Sequence, residues 1–195
     1  ENKDKLEFSR KAELYGEVMF LRAYYYFELV KIFGDVPLFT QSRLTASDSN
    51  TLTRAAKATV YAQIEKDLQD AIAALPAAKS TNGRATSFTA HALLGKVYLY
   101  QDKFEEAATI LEPLIGLYTL PSSLQSVFYN SGQNGPESVF EVQHSKNSNW
   151  FDWGFPQGSE GSFAIIHHGP RGYNGSVYAS GWSFNVPSQD LYDAY

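Results

Sequence analysis

The 195-residue chain contains no cysteine. Disulfides, thiol catalysis and thiolate metal sites are excluded with it, while the compartment stays open. Histidine is scarce: His91, His144, His167 and His168 are the four, and none falls in an HExxH or other ligand spacing. His167-His168 is a pair without a third ligand, so no metal and no cofactor are expected. Basic excess is also missing. Sixteen Lys+Arg stand against 21 Asp+Glu, a net charge of −5, which argues against a nucleic-acid partner. There is no run of 18 apolar residues. Phe20–Phe39 comes closest, but Arg22, Glu28 and Lys31 interrupt it, so it is not a membrane span. With 44% hydrophobic and 19% charged residues the chain can bury a sizeable core. The sequence starts at Glu1, without Met, inside one helical pattern and ends at Tyr195 inside another. It is expected to be an internal piece of a longer protein, and the missing leader says nothing about secretion.

What is present divides unevenly. Residues 1–116 hold 14 Lys+Arg and 15 Asp+Glu, whereas residues 117–195 hold 2 and 6. Glycine runs the other way, 5 against 9 in the shorter part. The expectation is a helical part, 1–116, and a loop-rich part with short strands, 117–195, joined in one integrated domain.

Apolar spacing predicts helices over 3–33, 57–75, 88–100 and 104–115. The first carries two apolar stripes. One is Leu14, Val18, Leu21, Tyr25, Leu29 and Ile32; the other is Met19, Phe20, Ala23, Tyr24, Phe27 and Val30. Gly34 suits a C′ position and Pro37 prevents resumption. In the second helix, Val60, Ile64, Leu68, Ala71, Ile72 and Leu75 form the stripe, with Glu65, Lys66, Asp67 and Asp70 mostly off that face. The 23-residue connection 34–56 is long enough to be either functional or packed. Only Gln101-Asp102-Lys103 separates the last two helices, which forces an antiparallel hairpin. Leu94-Gly95, Tyr98 and Phe104-Glu-Glu-Ala107 match the spacing of a tetratricopeptide repeat, with His91 where Trp is common and Leu111 where Phe is common. Gly95 and Ala107 permit close approach while Leu94 and Tyr98 fill the space between the helices. A repeat cannot bury its own apolar face, so hairpins stack, and a helix apolar on two sides suits an interior position.

Several blocks together resemble the SusD/RagB family. Glu17-Val-Met-Phe-Leu-Arg-Ala23, Tyr25-Tyr-Phe27 and Phe33-Gly-Asp-Val-Pro-Leu38 look like its signature helix. Arg54, Val60-Tyr61, Asp67-Leu68 and Leu75-Pro76 follow, then Gly83-Arg-Ala-Thr86 and Ala92–Leu99. Glu137–Gln143 is similar to the family's strand after the helices, and Pro187–Tyr195 to the start of its next helix. The resemblance implies a mainly α fold of tetratricopeptide-like hairpins followed by irregular loops. It implies a lipoprotein on the extracellular face of the outer membrane, anchored by a lipid outside this chain. It further implies binding of a glycan, or in some members a peptide, and delivery to a SusC-like TonB-dependent transporter, without enzymatic activity.

Candidate binding residues lie in the loop-rich part. Asn147-Ser-Asn-Trp-Phe-Asp-Trp153 combines two indoles with amides and a carboxylate. Sugars offer C–H faces for stacking and hydroxyls for hydrogen bonding, so Trp150 and Trp153 would stack while Asn149 or Asp152 bonds hydroxyls. The competing reading is a loop folded back to plug the core, which is common in aromatic-rich irregular regions. Gly169-Pro-Arg-Gly-Tyr-Asn-Gly175 presents Arg171 and Tyr173, a second wall of that site or a plain surface turn. Trp182 reads as structural. Tyr24, Tyr25 and Tyr26 point about 100° apart on a helix, so they read as core packing with hydroxyls at the seams. Arg22 needs a carboxylate partner, with Asp35 the expected one. Asp152 and Glu160 are the only acids in the aromatic loop, and nothing pairs them for glycoside hydrolysis. Glycan binding is thus the first reading, a protein-binding repeat scaffold the second, and a hydrolase the third.

Overall fold

A computed structural model describes residues 8–41, 43–77, 81–143, 169–176, 181–184 and 188–194. Four helices carry the fold: α1 (Lys11–Phe33), α3 (Lys57–Ala74), α4 (Ser87–Leu99) and α5 (Phe104–Leu111). Between α1 and α3 lie β1 (Val36–Pro37), the short α2 (Ala46–Thr51) and β2 (Arg54–Ala55). In sequence order α1 packs on α3, α3 on α4 and α4 on α5, the stacked-hairpin arrangement expected from the repeat spacing.

α1 starts at Lys11; of the expected start near Lys3, residues 3–7 lie outside the described residues and 8–10 are not helical. The Lys11 N–H closes a turn onto the Phe8 carbonyl, and Arg10 pairs with Glu13 at 2.9 Å, so the chain turns just before the helix. It ends where expected: Gly34 takes φ +68° and its N–H reaches the Val30 carbonyl. Of its two stripes only one is covered. Met19, Phe20, Ala23, Phe27 and Val30 are buried against α3 and its surroundings, whereas Leu14, Val18, Leu21, Tyr25, Leu29 and Ile32 are exposed. One neighbouring helix covers one face and leaves the other open. The tyrosines divide in the same way. Tyr26 sits at a seam, its hydroxyl accepting from the Phe39 N–H at 2.7 Å. Tyr24 is half-buried, with its ring 6.5 Å from Phe20. Tyr25 is 63% exposed and is not core.

The long connection is packed. Val36 pairs with Ala55 and Pro37 with Arg54 in an antiparallel pair. Thr45 and Asp48 form a capping box on α2. Asp35, expected to meet Arg22, instead accepts from the Lys57 N–H at 2.8 Å and so caps α3. Arg22 pairs with Asp67, through Nε to Oδ2 at 2.7 Å and Nη2 to Oδ1 at 2.6 Å. Asp67 is 1% exposed, so it lies on the buried side of α3 and not off the apolar face. Gln63 also donates to it, at 2.7 Å. Three donated hydrogen bonds are what make burial of this carboxylate tolerable.

The α4–α5 hairpin follows the repeat logic. A buried capping box of Thr86 and Thr89 starts α4. Leu94 and Val97 are fully buried, and a Cβ at Gly95 would lie 2.5 Å from Leu111 Cγ. Asp102 takes φ +59° in the tight link, and Lys103 and Gln101 both reach Glu65 of α3. The expected helix to 115 stops at Leu111 and tightens into a 3-10 turn over Glu112–Leu114, because Pro113 lacks an N–H for an α-helical bond.

After α5 come a four-residue helix, α6 (Leu124–Val127), and a 3-10 turn at Asn130–Gly132. Residues 137–143 form no strand, contrary to the family pattern. Their polar groups are used elsewhere: the Val139 carbonyl accepts from Thr89, and a Glu141 oxygen accepts from the Asn134 N–H. The chain divides into two compact units, residues 1–141 and 142–195. The second holds a short helix, α7 (Gln189–Asp193), capped by Ser188.

Candidate loop site and an apolar cleft

Trp150, Trp153, Asn149 and Asp152 lie outside the described residues, as does Glu160. Arg171 and Tyr173 belong to a described corner of the loop-rich unit. Gly172 allows the turn, with φ +66°. The Pro170 carbonyl accepts from the Gly181 N–H at 3.0 Å, and Arg171 and Gly181 form an isolated parallel bridge. Two strands of chain approach so closely here that a Cβ on Gly181 would lie 2.5 Å from the Gly169 Cα. Ser183 locks the corner: its hydroxyl accepts from the Arg171 N–H at 2.7 Å and donates to the Gly169 carbonyl at 3.3 Å.

Within this corner the guanidinium of Arg171 donates twice to the Trp182 carbonyl, at 3.1 and 2.7 Å. That fixes the backbone beneath a half-buried indole. The Trp182 ring stands 5.4 Å from Phe184 at 52°, and Phe184 is 63% exposed. The Tyr173 ring folds over Gly175, where an added Cβ would meet its hydroxyl. The structure therefore brings Arg171 to the backbone of Trp182, whose ring stands beside Phe184; sequence reasoning named neither aromatic as a candidate. A glycine–aromatic alternation, Gly181-Trp-Ser-Phe184, in a stretch whose only charge is Arg171 was the available signal. Chemically the corner offers aromatic faces and hydrogen-bonding groups with a single cation. That suits an uncharged polyhydroxylated ligand better than a phosphate, which calls for several cationic partners.

The helical unit also carries a concavity. A cleft of about 170 Å³ is lined by Glu17, Phe20, Leu21, Gly83, Arg84, Ala85 and Phe140. Phe20 and Phe140 meet edge to face at 5.5 Å. Arg84 Nη2 donates to Glu17 Oε2 at 2.5 Å, while Glu17 Oε1 and Arg84 Nε are buried without a hydrogen-bond partner, Nε lying 4.0 Å from Glu13 Oε1. The cleft is smaller than the ~300 Å³ at which small-molecule sites begin. Among the described residues no cluster of His, Asp and Glu could hold a metal ion, and no helix is long and apolar enough to cross a membrane.

Comparison with known proteins bears on both units. The model of a SusD-like family, described as starch-binding and associating with the outer membrane, matches residues 1–99. SusD-like protein P2 of Formosa agariphila is 29% identical over 183 residues, covering 91% of this chain and 35% of that protein. A laminarin-binding SusD-like protein of known structure is 36% identical, with a TM-score of 0.82 over 96% of this chain and 44% of the other. Surface glycan-binding protein A of Bacteroides thetaiotaomicron, solved with laminarihexaose, shares the fold at 23% identity, with a TM-score of 0.82 over 99% of this chain and 42% of its own. The chain spans about a third of the length of the curated relatives it matches. The family's description is one of binding, not of catalysis. With its family model matched over just more than half its length, and the tetratricopeptide-like stack in place, the chain belongs to the SusD-like family.

Proposed function

We propose that this chain is part of a cell-surface glycan-binding protein. It captures an oligo- or polysaccharide at the extracellular face of an outer membrane and passes it to a partner SusC-like TonB-dependent transporter. A lipid outside these 195 residues anchors it. The observation that carries the reading is the loop corner, where Arg171 fixes the backbone under Trp182 beside an exposed Phe184, with no second charge in the segment. Aromatic rings stack on the C–H faces of sugars, and the amides and hydroxyls around them supply the hydrogen bonds. In this reading Trp150 and Trp153 serve as further stacking rings, with Asn149 or Asp152 bonding ring hydroxyls, and Arg171 and Tyr173 as a second wall. The chain binds its ligand and does not cleave it. Laminarin-binding by a protein 36% identical supports a neutral glycan and makes laminarin the first ligand to test.

The test is isothermal titration of the whole protein with laminarin and a broad panel of glycans, repeated with Trp150→Ala, Trp153→Ala and Trp182→Ala. Each ring that stacks should account for about 1–3 kcal/mol of binding, a hot-spot-sized loss. Binding that survives all three substitutions overturns the proposal, and release of reducing sugar would show a hydrolase instead.

A further inference from the structure

Ser183 holds a backbone conformation that its own side chain disfavours. Its φ is +54°, in the left-handed region, where a Cβ is crowded and glycine is not. Among the described residues the other non-glycines with positive φ are Asp102 and Asn134, types that tolerate it better than serine does. Such a conformation persists where the surroundings over-determine it. Here they do. The Ser183 N–H donates to the Gly169 carbonyl at 3.1 Å. Its hydroxyl donates to the same carbonyl at 3.3 Å and accepts from the Arg171 N–H at 2.7 Å. The peptide joining Trp182 to Ser183 is therefore held at both ends. The Arg171 guanidinium holds its oxygen, and the Gly169 carbonyl holds its N–H. From a peptide fixed in this way, the φ of Ser183 decides the direction in which the chain departs to Phe184. The Trp182 and Phe184 rings on either side of this turn stand 5.4 Å apart at 52°.

We propose that Ser183 is a positioning residue for glycan binding. Its hydroxyl holds the left-handed turn that sets the Trp182 and Phe184 rings at the angle in which they receive a sugar. The inference rests on the reading that this corner stacks the ligand. Ser183 acts through the backbone, because its hydroxyl proton is already engaged by Gly169. An extended residue 183 would carry less strain, so the hydroxyl bonds are what select the turned form over the relaxed one. Rings oriented before the ligand arrives lose little freedom when it binds, which is the advantage that a strained turn can supply at a binding site.

The test compares Ser183→Ala, Ser183→Gly, Trp182→Ala and Phe184→Ala in the whole protein. Affinity is titrated with laminarin, or with whichever glycan of the panel the parent binds. Independently of ligand, the protein is labelled with 5-fluorotryptophan, and the fluorine resonance lost in Trp182→Phe identifies residue 182. Ser183→Ala is expected to weaken binding at least about tenfold and to shift the residue 182 resonance in the unliganded protein. Ser183→Gly lacks the hydroxyl too but has no Cβ to oppose the turn, so it should bind at least about threefold tighter than Ser183→Ala. Equal losses in the two variants would mean that the hydroxyl acts otherwise than by holding the turn, and overturn the proposal. Unchanged affinity in Ser183→Ala, with binding lost in Trp182→Ala, overturns it while the corner remains the site. Unchanged affinity in both Trp182→Ala and Phe184→Ala defeats the glycan reading of the corner, and the role of Ser183 with it.

Discussion

Removing Arg22 should cost more than neutralising Asp67, and the second change should become favourable once the first is made. Asp67 is 1% exposed and accepts two hydrogen bonds from Arg22 and one from Gln63. Arg22→Met keeps the apolar stem but leaves a buried carboxylate with only an amide donor. Breaking a buried ion pair in this way costs about 3–5 kcal/mol. The lower end applies, because the Arg22 side chain keeps a quarter of its surface in water. For a chain of this size, ~3 kcal/mol lowers Tm by roughly 6–12 °C. Asp67→Asn in the parent background removes a charge while Arg22 retains the Thr40 carbonyl at 3.2 Å and solvent, so its cost should be about 1–2 kcal/mol.

The diagnostic is the sign of Asp67→Asn in the Arg22→Met background. There it removes an uncompensated buried charge and leaves an amide that Gln63 can still satisfy, so it should restore ~2 kcal/mol. Urea unfolding of the four proteins of the cycle, at constant salt, measures this. If Asp67→Asn destabilises in both backgrounds by the same amount within ~0.5 kcal/mol, the pair does not hold α1 to α3 as described.

Two further outcomes follow from the helices. Gly95→Leu should lower stability by roughly 2 kcal/mol or more in urea, because its side chain must displace Leu111 at 2.5 Å, and an unchanged midpoint would refute the close α4–α5 approach. The Asp48 carboxyl is held below its ordinary value, chiefly by the hydrogen bond from the Thr45 hydroxyl and then by the Thr45 N–H. A depressed carboxylate stabilises the fold above its unfolded pKa and loses that contribution as pH falls through the folded one. Amide exchange over residues 46–51 should therefore be flat near neutrality and accelerate below about pH 4, relative to α4, whose Thr86–Thr89 box has no titrating member.

The helices were legible in the sequence because apolar spacing and punctuation act locally. Gly34, Pro76 and the three-residue link at 101–103 mark ends whose physics depends on the residues themselves. What was not legible depends on a neighbour. Asp67 looks like a solvated helix residue until α1 delivers Arg22 to it, and Asp35 looks like Arg22's partner until α3 presents its N-terminus. The two stripes of α1 are equivalent in sequence, and only packing against α3 decides which is buried. The same holds for the loop corner. Arg171 was chosen as an exposed polar arm, whereas its guanidinium spends two hydrogen bonds on the carbonyl of Trp182, eleven positions further along the chain and unrelated to it by any periodic spacing.

Gly181→Ala separates recognition from stability. A Cβ at that position would sit 2.5 Å from the Gly169 Cα and carbonyl oxygen, which are backbone atoms and cannot rotate away. The chain must therefore move, and the Arg171–Gly181 bridge and the 2.7 Å bond to the Trp182 carbonyl shift with it. The buried core responsible for most of the stability of the helical unit lies on α1, α3 and α4, at Phe27, Ile64, Leu68 and Leu94 among others, all in residues 1–141, whereas Gly181 belongs to the unit of residues 142–195. A substitution away from such core contacts moves stability by about 0.5 kcal/mol or less. Glycan affinity, by contrast, should fall at least tenfold in titration, because a stacked ring displaced by an ångström loses its partner. Full affinity with an unchanged unfolding midpoint would remove the Arg171–Trp182–Phe184 corner from the site. The search would then pass to Trp150 and Trp153, where the same Trp→Ala titrations distinguish a stacking platform from a loop that plugs the core: the first loses binding at constant stability, the second loses stability at constant binding.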